Sequence, residues 1–295
     1  MTRRVLITGA TGFIGRPAIQ PLRDRGFDIH TIGRHPHPDL PHTTADLLDP
    51  RATAAAVAAI APTHLLHLAW DVTPGAFWHS RTNLDWVAAS LSLYRAFTAA
   101  GGRHAAFAGT CAEYDWSHSQ LDEDTPLRPA TLYGLAKHTL HQLLASAASL
   151  DGTTIAWGRI FLLYGPHEAP ERLVSGITRT LLRNEDAPTG PGGIRRDFMH
   201  VADVAAALVT LLDQAHQGPV NVATGRSTTI AEVVTTIAAH AGHPDRLRIG
   251  ARPAPPNDPP ELATSANRLS ALGFQPSHTL QSGLADTVAW WKAHL

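Results

Sequence analysis

Cysteine is nearly absent. The 295-residue chain has one, Cys111, which excludes an intramolecular disulfide and suits a reducing, cytosolic setting. Net charge is nearly absent too: 24 Lys and Arg stand against 25 Asp and Glu. No general attraction to nucleic acid or to an anionic membrane surface is therefore expected. No apolar run approaches the roughly 18 residues of a membrane span. The opening "MTRRVLITGATGFIG" has two arginines and then only a short apolar stretch before glycines intervene, so no secretory signal is expected. Internal repeats and low-complexity linkers are missing. Histidine is plentiful, at 18, but scattered. The tight pair His35 and His37 in "HPHP" lacks the further ligands a metal site needs, and none is expected.

What remains reads as an α/β chain. Short apolar or β-branched runs, "RVLITG" (4–9), "DIHTIG" (28–33), "HLLHLA" (64–69), "HAAFAG" (104–109) and "TIAWGRIF" (154–161), alternate with stretches of helical period. Those helices are expected from Ile14 and over about 51–60, 81–100 and 132–150. The alternation is the mark of βαβ units and a parallel sheet. After Tyr164 the texture changes to Pro- and Gly-rich loops at 165–171, 187–193 and 251–260, with helices near 172–183, 202–214 and 229–241. We therefore expect a dinucleotide-binding domain over 1–165 and a smaller substrate-binding region over 166–295. A strand and turn at about 217–225 should return to the first sheet.

"TGATGFIG" places Gly9, Gly12 and Gly15 directly after a strand and at the start of a helix. Gly9 allows the tight turn, Gly12 lets the backbone approach a pyrophosphate, and Gly15 lets helix and strand pack closely. Thr11, Phe13 and Ile14 complete that loop, and Leu68 and Ala69 end the run that follows two strands later. Where a carboxylate would bind the ribose of NAD, the sequence has Gly33 and then Arg34. A guanidinium without a carboxylate favours a 2′-phosphate, so NADP(H) is expected ahead of NAD(H). Asp46, beside Leu47, is a candidate for the adenine amino group, with a loop-capping role as its plainer alternative.

"LYGLAKH" contains Tyr133 and Lys137. Four residues apart on a helix, they share a face. Lys137 then lowers the phenol pKa and Tyr133 exchanges a proton near neutral pH. Together with "TGATGFIG", "HLAW", "AGTCAEYDW", "YGLAK", "RIFLLYGP", "RRDFMHVADVA" and "NVATG", the chain resembles an extended short-chain dehydrogenase/reductase of the nucleotide-sugar epimerase, dehydratase and ketoreductase group. The resemblance covers nearly the whole chain. It implies a Rossmann-type doubly wound parallel sheet, a small C-terminal region capping the substrate, and a homodimer formed through the helices near 81–100 and 132–150. It implies a Thr110–Tyr133–Lys137 triad, with Thr110 hydrogen-bonding the sugar oxygen that undergoes redox. It implies a nucleotide-diphosphate sugar as substrate, its phosphates met by Arg196 and, on a looser match, Arg252. Leu162 departs from the pattern, standing where similar proteins carry an Asn that helps hold the substrate.

Some reactions are excluded by what is missing near Thr110. Similar 4,6-dehydratases carry Asp-Glu after the Thr, where this chain has Cys111 and Ala112, so dehydration is not expected. In 3,5-epimerising reductases the cysteine lies two residues before the loop Tyr, whereas Cys111 lies three before Tyr114. Glu113 is one residue out of register and is expected to pair with a basic neighbour. Reduction of a 4-keto-6-deoxysugar nucleotide by NADPH remains, and Arg34 favours it. C4 epimerisation with tightly bound NAD(P)+ uses the same triad. A noncatalytic dinucleotide-binding redox sensor is a third reading, against which the intact triad argues. Trp70, Trp78, Trp86 and Trp116 are candidates for the pocket wall, with core packing as the alternative.

Overall fold

The computed structural model describes residues 3–254 and 258–295; part of the loop expected over 251–260 lies outside them. In chain order the elements are β1 (Arg4–Thr8), α1 (Gly15–Asp24), β2 (Asp28–Gly33), β3 (His42–Thr44), α2 (Pro50–Ile60), β4 (His64–His67), α3 (Thr82–Ala99), β5 (His104–Thr110), α4 (Leu132–Asp151), β6 (Thr154–Ile160) and β7 (Leu162–Tyr164). Then come α5 (Leu173–Leu182), β8 (Ala187–Pro188), β9 (Arg195–His200), α6 (Val201–Asp213), β10 (Gly218–Val222), β11 (Ser227–Thr229), α7 (Ile230–Ala241), β12 (Leu247–Arg248), β13 (Glu261–Leu262), α8 (Asn267–Ala271) and α9 (Leu280–His294). The chain divides into two compact units. The first comprises residues up to Asp115 with Pro126–Ile160 and Ala205–Val222, and the second comprises Trp116–Thr125, Phe161–Val204 and Ala223–Leu295.

The first unit is a seven-stranded sheet in the order β10-β6-β5-β4-β1-β2-β3, and every pairing in it is parallel. Strand residues alternate between faces. Leu6, Leu65, Phe107, Ile155 and Trp157 join one core cluster with Val57 and Ile60 of α2, Leu93 and Phe97 of α3, and Leu140 and Leu144 of α4. The alternate residues face the other layer, where a Cβ on Gly158 would meet Leu208 of α6 at 2.4 Å. This is the expected doubly wound α/β sheet, with helices on both faces.

Local chemistry sets the helix ends. Asp49 caps α2 by accepting the Arg51 and Ala52 N–H groups, and Pro50 fills the first turn, where no backbone donor is needed. Thr131 caps α4 by accepting from Gly134 N–H, and Gly152 ends it at φ +63°, a left-handed conformation that glycine adopts readily. The connection order reverses between β1 and β4, whose crossovers run in opposite directions along the sheet. In such sheets the crevice at the carboxyl ends of those two strands is where ligands bind.

The second unit holds β11, β9 and β13 in one small sheet, with β7 also paired to β9. A separate core joins Tyr164 of β7 with Val174, Leu181, Val233, Ile237, Leu284 and Val288 from α5, α7 and α9. No described helix is long and apolar enough to cross a membrane.

Candidate active site

The glycine loop is built as its spacing demands. Gly9 lies at φ +68°, and Gly12 N–H donates to Gly9 O at 2.9 Å. A Cβ on Gly15 would stand 2.0 Å from Gly9 O and 2.7 Å from the Ala10 Cα, so only glycine lets α1 start so close to the turn. Thr8, which sequence reasoning passed over, ties this loop to the next. Its hydroxyl oxygen accepts from the N–H groups of Leu68 and Ala69, each at 3.1 Å, and pairs with His67 Nδ1 at 2.8 Å. His67 is buried, and desolvation pushes its pKa down to about 3. It is a neutral strut rather than a proton carrier.

The loops enclose a cleft of about 640 Å³. Among the expected cofactor residues, Gly9, Thr11, Gly12, Arg34, Asp46, Leu47 and Ala69 line it, whereas Phe13, Ile14, Gly15 and Leu68 do not. At the β2 end the lining is Gly33, Arg34, His35, His37 and His42. Arg34 is exposed, and among the described residues no salt bridge involves it. Asp46 caps its own turn, accepting from Leu48 N–H at 3.0 Å. Volume, glycine cradle and helix N-terminus suit a dinucleotide, so the chain's own residues fit the group that the motif implies.

The triad residues gather where β5 meets α4. Thr110 ends β5, buried, and its Oγ1 accepts from Ala112 N–H at 3.2 Å. Tyr133 enters α4 with its N–H on Trp78 O at 3.1 Å. Edges and faces of Phe77 and Trp78 pack around its ring, with centroids 4.9 and 5.8 Å away. A Cβ on Gly134 would stand 2.2 Å from Ala112 O, which shows how closely α4 seats on the turn after Thr110. One helical turn beyond Tyr133, Lys137 Nζ donates to Ala108 O at 2.8 Å and lies 3.8 Å from the ring of Trp70. Burial pushes the Lys137 pKa down to about 7, against an opposing pull from Glu113. Neither Tyr133 nor Lys137 lines the cleft; Trp70, which does, covers the ammonium. Trp86 also lines it, Trp78 packs on Tyr133 instead, and Trp116 belongs to the second unit.

Cys111 and Ala112 form a short 3₁₀ turn with Glu113, all three buried. Glu113 pairs with Arg159 at 3.0 Å, the basic partner expected for it. In the second unit Arg196 lies on β9, almost fully buried, with Nη2 on Asp258 Oδ1 at 2.5 Å and Nη1 on Arg195 O at 2.7 Å. Arg252 is exposed, and its backbone N–H donates to Thr189 O at 2.8 Å. Leu162 is a β7 residue in register with Phe198.

Known proteins bear on this geometry. The model of the NAD dependent epimerase/dehydratase family matches residues 5–223. A UDP-glucose 4-epimerase of Azospirillum brasilense is 28% identical over 334 aligned positions, covering 99% of this chain and 92% of that protein. A dTDP-4-dehydro-6-deoxy-D-allose reductase of a Streptomyces species is 26% identical, covering 99% of this chain and 97% of that protein. The crystal structure of Thermus thermophilus UDP-glucose 4-epimerase in complex with NAD superposes with a TM-score of 0.86 at 24% identity, covering 99% of this chain and 100% of that one. At that identity the likeness shows the fold.

Proposed function

The chain belongs to the NAD dependent epimerase/dehydratase family, and from that premise we propose that it reduces a 4-keto-6-deoxysugar nucleotide at C4, drawing on NADPH. One observation carries the choice. The β2 strand end of the cleft offers Gly33, Arg34, His35 and His37, and the carboxylate that lines the cleft beside them, Asp46, caps its own turn, a setting that favours a 2′-phosphate over a bare ribose. The reductase relative, similar across nearly its full length, supports the same choice.

The bound nicotinamide would supply the hydride, held by the glycine loop, Arg34 and the residues around Asp46. The chain supplies the proton. Thr110 Oγ1 already accepts a backbone N–H, so its own O–H is left to donate to the sugar oxygen. Tyr133 donates the phenolic proton to that oxygen as C4 gains hydride, converting the ketone to an alcohol. The ammonium of Lys137, one turn away, stabilises the phenolate left behind. Trp70 covers that ammonium, so contact between Lys137 and a ribose hydroxyl requires the indole to turn aside. Arg196 and Arg252 would meet the substrate's phosphates, and Arg196 must first exchange Asp258 for them.

A second reading, C4 epimerisation with retained NAD(P)+, is favoured by the full-length likeness to UDP-glucose 4-epimerases and uses the same three residues. One experiment separates the two. The cofactor released from denatured purified protein is identified, and 4-keto-6-deoxyhexose nucleotides are mixed with protein and NADPH while absorbance at 340 nm is followed. Reduction across any member of the nucleotide series supports the reductase. Copurified NAD+ with interconversion of UDP-glucose and UDP-galactose, and no loss at 340 nm, replaces it with the epimerase. The same proposal includes a homodimer through α3 and α4, which expose Leu84, Leu135 and Leu143, and a cytoplasmic place of work, where NADPH is available. Sedimentation velocity tests the first and cell fractionation the second.

A further inference from the structure

The carboxylate of Glu113 is fully buried and takes three kinds of donor. Thr110 N–H donates to Oε1 at 2.8 Å, Trp157 Nε1 donates at 2.9 and 3.1 Å to the two oxygens, and Arg159 Nε donates to Oε2 at 3.0 Å. Arg159 is equally buried, and its Nη1 reaches Tyr114 Oη at 3.1 Å, which in turn donates to Asn221 Oδ1 at 2.7 Å. Two charges removed from water gain little net stability, and apolar residues of similar volume commonly do as well. Stability alone therefore does not account for an ion pair in this position.

Its location suggests what does. The carboxylate holds the backbone of Thr110, whose side chain accepts the Ala112 N–H in the same turn. The Thr110 hydroxyl is thus fixed from both sides. The packing there is tight enough that a Cβ on Gly109 would stand 2.2 Å from Trp157 Nε1 and 2.8 Å from Glu113 Oε1. The same carboxylate acts on Lys137, favouring its charged form. The other titratable groups around that lysine are Tyr133 and His138 on its own helix, His141 one turn further on, His67 on β4 and Arg159 on β6. Burial pushes His67 and His141 down to about 3 and lowers His138, so these rings are neutral at working pH. Glu113 is the anion of the set.

We infer that Glu113 is a positioning residue for the proposed reaction: through the backbone of Thr110 it aims the hydroxyl that meets the substrate oxygen, and it fixes the end of β5 from which the Ala108 carbonyl holds Lys137. This rests on the ketoreductase or epimerase chemistry proposed above, which needs both groups.

The chain has two lysines, Lys137 and Lys292, so ¹³Cε-lysine labelling gives two resonances and Lys292, exposed on α9, serves as the internal reference. Wild type, Glu113→Gln, and Glu113→Gln combined with Arg159→Met are titrated by NMR and assayed. The double variant removes the stranded guanidinium and keeps the test alive if the single variant does not fold. The Lys137 midpoint, near 7 in the wild type, should fall by about half a unit or more in either folded variant. The kcat should fall about tenfold with KM for the sugar nucleotide nearly unchanged, and the alkaline limb of the pH–rate profile should move to lower pH. A folded variant with wild-type midpoint and wild-type kcat overturns the inference. So does a kcat that recovers fully once the double variant restores thermal stability, because that is the behaviour of a purely structural pair. Absence of turnover in the wild type overturns the function proposed above, while the lysine midpoints still decide whether Glu113 acts on Lys137.

Discussion

The corner where β5 meets α4 and the end of β2 are built on opposite terms. At the corner, Glu113, Arg159 and Lys137 are buried, and each has its hydrogen bonds or ion pair within the fold. At the β2 end, Arg34 and His35 are exposed on a loop beside an open cleft. Buried polar groups that satisfy one another hold a hydroxyl, a phenol and an ammonium in fixed relation, which proton exchange requires. An exposed guanidinium reorganises at little cost and selects a ligand by charge. Changes at the corner should therefore be severe, and changes at the β2 end graded.

Several substitutions press on that contrast. The largest expected loss is from Tyr133→Phe, which removes the proton donor and should lower turnover by about 10²- to 10⁴-fold with an unchanged circular dichroism spectrum. Full retained turnover would remove Tyr133 as the acid. Next, Gly33→Asp with Arg34→Ala should lower the NADPH-to-NADH ratio of kcat/KM by about 10- to 100-fold while leaving thermal stability in place. If the ratio does not move, cofactor choice is made elsewhere. Gly134→Ala puts a Cβ 2.2 Å from the Ala112 carbonyl. It should cost about 1–3 kcal/mol in urea denaturation, and kcat should drop with it, since Thr110 and Tyr133 are held together by that contact.

A further effect is an acid one. His67 and His141 are held neutral by burial, with pKa values of about 3, against an ordinary value near 6.5 in the unfolded chain. Folded values below unfolded ones mean that the unfolded state binds more protons between those limits. Stability is then fully present above about pH 6.5 and drains away as pH falls toward 3. Melting temperature measured from pH 7 to 5 should fall by several degrees, and a flat profile would show that these rings are already wet.

Legibility followed the same division. The five long apolar strands and the glycine loop were plain in the sequence, because burial on both faces writes continuous hydrophobic runs. The charged β9, "RRDFMH", carries no such run and was not anticipated. The final helix α9 was missed although Thr279 caps it and Leu284, Val288 and Trp291 recur on one buried face, a signal that was there to be read. Tyr133 and Lys137 stood out through their spacing, and Thr110 only through the family resemblance. Thr8, which ties the β1 and β4 loops, and Arg159, which lies 46 residues from Glu113, did not, because pairing at that distance exists only once the strands are side by side.

Closure of the sheet by a late strand shapes how the molecule is made. Strand β10 completes the first sheet beside β6, and Asn221 on it receives the Tyr114 hydroxyl. On a ribosome adding about 5–20 residues per second, β6 waits roughly 3–12 s for its last neighbour, with Trp157 and Arg159 on an open edge. A chain cut after β6 should be sticky and poorly soluble, and the nucleotide-binding half is better expressed with Ala205–Val222 joined on than as an N-terminal fragment.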